Sequence, residues 1–340
     1  MLMHLIILYL FNLLNGTSLP AFARTQACQS AFSSDVHGSC IKLISCIFRG
    51  GKPAGTCNYG LSTCCVAFLG INIGSKLPIS TFTKNSFTQN LAMFVVKRAS
   101  PFYCQIRVDF KSFNVGGPDQ NGICTNGWNV TGQADTNVPT ICGLNDGQHV
   151  YLNFDNFTPI KMTINFNDSD DWAIKVTQIK CNDQENLAPT GCLQYFPEAS
   201  GQVESFNFQT VSSVAPVTST QTTYQLANLD YYACIGTSTN TYSQITWTKG
   251  VGTTNYYFVL TSNVALIPSN FVGTAAAAEY NGDCTGTGSP TNDYVEIIDG
   301  TFTDIDGTSR TETQFCGVGF PPAVTCKCST LSNINSIILS

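Results

Sequence analysis

Charged residues and histidines are scarce in this sequence. Only 11% of the 340 residues are Asp, Glu, Lys or Arg, there are three histidines, and the net charge is −6. A mildly acidic chain without a basic stripe is a poor match for nucleic acid or heparin-like partners, and we expect neither. Only His37 and His149 follow the N-terminal segment, and no Gly-Asp-Ser-Gly or Ala-Ala-His-Cys-like segment occurs. Because no histidine is paired with a nucleophile in a recognisable motif, we expect no catalytic residues and no enzyme activity.

Long hydrophobic runs are also lacking. The apolar run at residues 5–14 is shorter than the roughly 20 apolar residues that span a bilayer, and no later segment comes closer. Ala21-Phe22-Ala23 follows it, which is typical of the cleavage site of a secretory signal peptide. We therefore expect residues 1–23 to be a signal peptide and the mature chain to be secreted, extracellular and without a membrane anchor.

Cysteines are abundant, and all 16 follow Ala23. This usage is expected of a disulfide-bonded protein from an oxidising compartment. Six of them lie within 38 residues, at Cys28, Cys40, Cys46, Cys57, Cys64 and Cys65. Few apolar side chains lie in this block, so we expect three disulfides to hold it together in place of a hydrophobic core. Zinc is the alternative, but the paired C-x2-C spacing of zinc sites is missing.

The rest of the chain alternates apolar and polar residues, which predicts β-strands. The pattern covers residues 104–110, 150–154, 160–166, 172–176, 244–248, 256–261 and 293–300. Turn-forming Asn, Asp and Gly residues separate these runs, and no helical period is sustained, so an antiparallel sandwich is expected. Ile141-Cys142-Gly143 has a counterpart in Phe315-Cys316-Gly317, which indicates two modules of similar plan.

These motifs resemble known families. The six-cysteine block ending in Cys64-Cys65 resembles the clip domain of secreted arthropod proteins. Residues 104–110, 141–151 and 172–181 resemble a CUB domain of the insect type. Residues 191–195, 205–208 and 227–231 resemble the segment that joins such a domain to a second, divergent one.

The resemblance implies an all-β chain in which two CUB-type antiparallel β-sandwiches follow a small clip-like domain. The implied division is a clip-like domain at 24–70, a first CUB domain at 78–182, a second at 193–325 and an atypical tail at 326–340. The tail does not fit a CUB domain, so we expect either a truncated second module or a C-terminus that is not native.

The resemblance also implies disulfide pairs. In the clip-like domain they are Cys28–Cys64, Cys40–Cys57 and Cys46–Cys65. In the CUB domains they are Cys124–Cys142, Cys181–Cys192 and Cys284–Cys316. Cys104, Cys234, Cys326 and Cys328 remain unassigned.

Two kinds of site follow from the residues. Many CUB domains bind calcium through convergent carboxylates, and in the second module Asp293 and Asp304 are the candidate ligands, with solvated loop acids as the alternative. No metal is expected in the first module and no other cofactor anywhere. The sequons at Asn129, Asn156 and Asn167 predict N-glycosylation of the first module.

Two functions remain open. The first is a secreted, non-catalytic protein that recognises extracellular proteins or glycans. The second is a truncated or regulatory homologue of a serine protease with clip or CUB domains, whose catalytic domain would lie beyond Ser340.

Overall fold

The structure is a computed structural model. It describes residues 26–67, 74–87, 89–119, 121–134, 138–155, 158–198, 200–208, 226–236, 244–248, 294–304, 307–316 and 320–327, and the backbone of 334–339. The predicted signal peptide, the predicted strand at 256–261, Asn156, Cys284, Asp293 and Cys328 lie outside these residues.

The predicted all-β fold is confirmed, because the described regular structure is almost entirely strand. Its exceptions are one short helix, α1, at Leu43–Phe48 and a single 3-10 turn at Lys84–Ser86. The strands are β1 Ala27–Ser30, β2 Ser33–Ile41, β3 Gly51–Cys57, β4 Ser62–Ala67, β5 Ile79–Thr83, β6 Leu91–Val96, β7 Tyr103–Val115, β8 Gly127–Thr131, β9 Gln133–Ala134, β10 Gly143–Leu144, β11 His149–Phe154, β12 Ile160–Asn165, β13 Asp171–Lys180, β14 Cys192–Phe196, β15 Tyr231–Gly236, β16 Gln244–Trp247, β17 Val295–Thr303, β18 Ser309–Phe315, β19 Val324–Lys327 and β20 Ile334–Leu339.

The N-terminal region, residues 26–67, is a four-stranded sheet of order β1-β2-β4-β3 cross-linked by three disulfides. The bonds are Cys28–Cys64, Cys40–Cys57 and Cys46–Cys65. They are the pairs that the clip resemblance implies. The disulfides are needed because the buried apolar clusters of this region are small, and a core of that size stabilises a fold only weakly.

Strand β2 of the N-terminal region packs against β5, the edge strand of the next sheet. The hydroxyl of Thr81 accepts a hydrogen bond from the His37 N–H at 3.1 Å and donates one to the His37 carbonyl at 3.0 Å. The hydroxyl of Ser39 does the same for Ile79, at 2.9 and 3.2 Å. These bonds cover an edge strand that would otherwise be open to pairing with another chain.

The first sandwich follows, with a core between two antiparallel sheets. One sheet has the order β5-β13-β7-β11-β9, with β10 on β7, and the other has the order β6-β12-β8. Alternate residues of the long strands point between the sheets, which is the pattern that the sequence predicts. The core includes Ile106, Val108, Phe110, Val150, Leu152, Ile160, Met162, Ile164, Trp128, Trp172, Ile174 and Val176.

The outer face of β7 is less exposed than the alternation suggests. Gln105, expected to face solvent, is buried, and its side-chain amide donates to the carbonyl of Ala188 at 3.1 Å and accepts from its N–H at 2.8 Å. The segment that leads into β14 lies over this face. Alternation within one strand cannot reveal a later segment that covers its polar side.

The segment after the first sandwich is part of that sandwich's packing. Its apolar side chains join the first core, and they are Leu193, Phe206, Leu226, Leu229 and Tyr231. Asn207 is buried, with its N–H 2.7 Å from Oδ1 of Asn145 and its own Oδ1 3.2 Å from the Leu144 N–H. The two modules therefore share this segment. A domain boundary between residues 182 and 193 does not separate the packing of one module from that of the other.

The second module is built on one sheet of order β14-β15-β20-β17-β19-β16, with β18 on β17. Its core includes Ala233, Val295, Ile297, Phe302, Phe315 and Val324. The segment 326–340, expected to be an atypical tail, contributes strands to this sheet. β19 runs to Lys327, and β20 pairs with both β15 and β17. The Ser- and Asn-rich sequence of this segment has no clear alternation, so its strands become evident only from their partner strands.

Three further disulfides show the partners of six more cysteines. Cys124 is bonded to Cys142, as the resemblance implies. The implied Cys181–Cys192 bond is wrong, because Cys104 is bonded to Cys181 and Cys192 to Cys234. β7 and β13 are neighbours, and their register brings Cys104 and Cys181 to the same end of the sheet. Cys316 is disulfide-bonded, whereas its implied partner lies outside the described residues.

Candidate interaction surfaces

Large apolar side chains are exposed mainly on the N-terminal region. Of thirteen exposed large apolar side chains among the described residues, seven lie between 32 and 61. They are Phe32, Leu43, Ile44, Ile47, Phe48, Tyr59 and Leu61. Contiguous exposed apolar surface on a soluble protein marks an interaction site, whereas single exposed residues do not. The concentration in one small region therefore needs a functional explanation.

Four of these side chains lie on α1. Leu43, Ile44, Ile47 and Phe48 are 52%, 69%, 61% and 84% exposed, respectively. Residues four apart share a face of a helix, so Leu43 lies beside Ile47 and Ile44 beside Phe48. Cys46 is the buried residue of the helix, and its disulfide to Cys65 fixes α1 on the sheet. The helix is thus held covalently while its apolar side chains face solvent.

Basic residues border this helix. Lys42 precedes α1 and Arg49 follows it, and Lys42 and Lys52 are exposed. Arg49 and the exposed Lys76 are joined by two hydrogen bonds, from the Arg49 guanidinium to the Lys76 carbonyl at 3.2 Å and from the Lys76 N–H to the Arg49 carbonyl at 3.1 Å. We call the four apolar side chains of α1 with Lys42, Arg49 and Lys76 the α1 surface.

The charge of the chain is unevenly distributed along the sequence. Residues 36–108 contain no Asp or Glu, although the whole chain has 22 acidic and 16 basic residues. The expectation of a chain without a basic stripe rested on the net charge of the whole chain. That value averages a basic N-terminal part with an acidic remainder.

A β-bulge in the second module exposes a single large apolar side chain. The pairing of β17 with β18 shifts register between Glu296 and Gly300, and Ile298 in this bulge is 57% exposed. Asp299 beside it has a positive φ of 51° and is exposed. Glu312 lies opposite Gly300 in the pairing. Bulges re-aim side chains, and Ile298 in this one is exposed, with Glu296 and Asp299 close to it in the sequence.

His149 is buried. None of its described contacts brings a nucleophile beside it. Its Nε2 lies 2.9 Å from the carbonyl oxygen of Tyr195, and its ring packs edge-on against Tyr151 and Phe196. Burial, helped by the charge of Arg107, lowers the pKa of His149 to about 4. A neutral imidazole bonded to the backbone is a packing residue that joins β11 to β14.

The other mature histidine, His37, is bound through its backbone to the hydroxyl of Thr81. It lies on β2 of the N-terminal region, and the structure does not bring it together with His149 in a site.

The described sequons differ in their surroundings. Asn167 is exposed in the turn before β13, and its backbone N–H donates to the Asp170 carboxylate at 2.7 Å. Asn129 is half-buried on β8, and its Oδ1 accepts from the Thr140 hydroxyl at 2.6 Å. Asn167 is therefore the more accessible acceptor of the two.

The candidate calcium ligands are not assembled in the described part of the chain. Asp304 Oδ2 lies 2.6 Å from the guanidinium Nε of Arg310. Asp293 lies outside the described residues. Within the described ranges, no group of three or more His, Cys, Asp or Glu side chains is placed to hold a metal ion. Asp304 as described contributes its carboxylate to an ion pair.

Sequence reasoning missed both apolar sites. The signal for α1 was Leu43-Ile44 and Ile47-Phe48 between Lys42 and Arg49, an apolar helix pattern in a block expected to be loops and disulfides. The bulge at Ile298 had no signal, because Asp293 to Gly300 reads as an uninterrupted strand that ends in a turn.

These features define an all-β protein whose modules are each cross-linked internally by disulfides and which exposes apolar side chains. Residues 189–340 match the family model of the animal CUB domain. This part of the chain is therefore similar to a CUB domain, and CUB domains are not catalytic by themselves. No curated protein matches the chain. Within the described residues, no helix has the length and apolar character needed to cross a membrane.

Proposed function

We propose that this protein is a secreted, non-catalytic recognition protein that binds extracellular proteins or glycans. The CUB domain at 189–340 suggests a binding module that works outside the cell. The 16 cysteines support an oxidising compartment, where disulfides persist. Asn129, Asn156 and Asn167 would carry glycans in such a compartment.

Two domain identities belong to this proposal. The cysteine pairing of residues 26–67 supports a clip-like domain at 24–70. The sandwich of β5 to β13 supports a first CUB domain at 78–182, ahead of the matched one. Both would act as binding or spacing modules.

The bulge at Ile298 carries the assignment of a contact site to the CUB domain. Ile298 is exposed, Glu296 and Asp299 are close to it in the sequence, and Glu312 pairs opposite Gly300. This combination suits a ligand with an apolar group and positive charge beside it. Apolar anchors supply most of the affinity of an interface, and the surrounding charges supply specificity and association rate.

Binding of the secreted full-length chain to intact cells and to a glycan array tests this proposal. Ile298→Ser is expected to weaken saturable binding at least about tenfold, a loss of about 1.4 kcal/mol. Phe102→Ser is the matched control, because it removes an apolar side chain that is 76% exposed on the first sandwich, and it should bind like the wild type.

Two results would contradict the proposal. The first is equal binding by wild type and Ile298→Ser, which would remove the bulge from the contact. The second is hydrolysis of a peptide ester that disappears in His149→Gln, which would show a catalytic function.

A further inference from the structure

We propose that the α1 surface docks on a lipid bilayer that exposes anionic headgroups. The inference concerns the N-terminal region and goes beyond the recognition proposed for the CUB domain. It rests on three features of the α1 surface. They are the exposed apolar side chains of the helix, the basic residues near its ends and the absence of Asp and Glu from residues 36–108.

The helix is built to present apolar side chains outward. It has six residues, and Cys46, bonded to Cys65, is the one that is buried. Leu43, Ile44, Ile47 and Phe48 cannot turn into a core, because the disulfide fixes the helix with Cys46 facing the sheet. A protein partner would need a groove that matches this ridge. A bilayer interface accepts protruding apolar side chains to a depth of about 5–10 Å without a preformed groove.

The charges around α1 favour an anionic surface. Lys42 and Arg49 lie at the two ends of the helix, and the backbone of Lys76 is hydrogen-bonded to Arg49. Residues 36–108 contain no Asp or Glu that would repel headgroups. Each Lys or Arg near an anionic bilayer strengthens binding about fivefold.

The same charges disfavour a second copy of the chain as the occupant. Two α1 surfaces facing each other would bring three basic residues against three. One helix of six residues also offers less than the roughly 800 Å² that each partner buries in a standard interface.

Flotation of the full secreted chain with vesicles tests the inference. Vesicles of phosphatidylcholine with phosphatidylserine should retain the protein, and vesicles of phosphatidylcholine alone should retain much less. Ile44→Ser with Phe48→Ser should reduce the partition coefficient at least about tenfold, because both exposed anchors are lost. Lys42→Gln and Lys76→Gln should each reduce it about fivefold at low salt and less at high salt.

Matched controls separate the α1 surface from general stickiness. Ile123→Ser removes an exposed apolar side chain of the first sandwich, and Lys161→Gln removes an exposed charge on β12. Both should bind vesicles like the wild type. The altered side chains on α1 are exposed, so thermal unfolding of all the variants should coincide with that of the wild type.

The inference is overturned if the wild type does not float with anionic vesicles, or if the α1 variants float as well as the wild type. Retention on heparin equal to that on vesicles, unaffected by Ile44→Ser with Phe48→Ser, would show a site for polyanions and also overturn it. So would a dimer in solution that the same pair of changes dissociates. The cell-binding effect of Ile298→Ser is independent of all these results, so the two proposals can fail separately.

Discussion

His149 links the acid stability of the protein to one buried contact. Burial, with Arg107 nearby, lowers its pKa from 6.5 to about 4 in the folded state. The unfolded chain binds a proton there below about pH 6.5, whereas the folded chain does so only below about pH 4. The contribution of His149 to the free energy of unfolding should therefore be complete above about pH 6.5. It should decrease as the pH drops toward 4, by up to about 3 kcal/mol.

The fall in the free energy of unfolding between about pH 6.5 and 4 is the acid limb of the stability profile. His149→Gln should flatten this limb, because Gln does not titrate. Urea unfolding followed by tryptophan fluorescence reports the first core, where Trp128 and Trp172 are buried. His37→Gln is the matched control and should keep the limb. Identical pH profiles for His149→Gln and the wild type would contradict the assignment of the limb to this residue.

At the scale of elements, the contact of β2 with β5 depends on side-chain hydroxyls. Thr81→Val keeps the shape of the side chain but leaves the His37 N–H and carbonyl without the hydroxyl that now binds both. We expect a loss of about 1–3 kcal/mol from the unpaired backbone groups. Hydrogen exchange of β2 and β5 should accelerate in Thr81→Val and remain slow in Thr81→Ser, which keeps the hydroxyl. Equal exchange in both variants would show that the contact is held by packing alone.

At the scale of the whole molecule, the Cys192–Cys234 bond fixes the start of the second module. It closes a sequence separation of 42 residues between β14 and β15, which pair in parallel. Removing such a loop closure costs about 4 kcal/mol in the chain-entropy model.

Cys192→Ser gives a test of the pairing. The unfolded, unreduced variant should react with a maleimide at Cys234, and peptide mapping should still link Cys104 to Cys181. Labelling of Cys181 would instead support the Cys181–Cys192 bond that the family resemblance implies.

Much of the fold was predictable because it depends on short-range patterns. The alternation of Ile106, Val108 and Phe110 predicts one buried face, and all three are in the first core. The partners of the first six cysteines match the structure, and they were implied by the clip resemblance and not by the spacing. The apolar sites at α1 and Ile298 were not predicted, because exposure depends on what the rest of the chain leaves uncovered.

The sequence by itself determined the all-β class, the disulfide-rich N-terminal region and the faces of the long strands. These follow from neighbours a few residues apart, whose side chains alternate or whose cysteines crowd together. Only the tertiary structure decided that Cys192 bonds to Cys234, that His149 is buried under Tyr195 and that residues 334–339 complete a sheet. Each of these depends on segments distant in sequence, which come together only when β14 and β20 take their places beside β15.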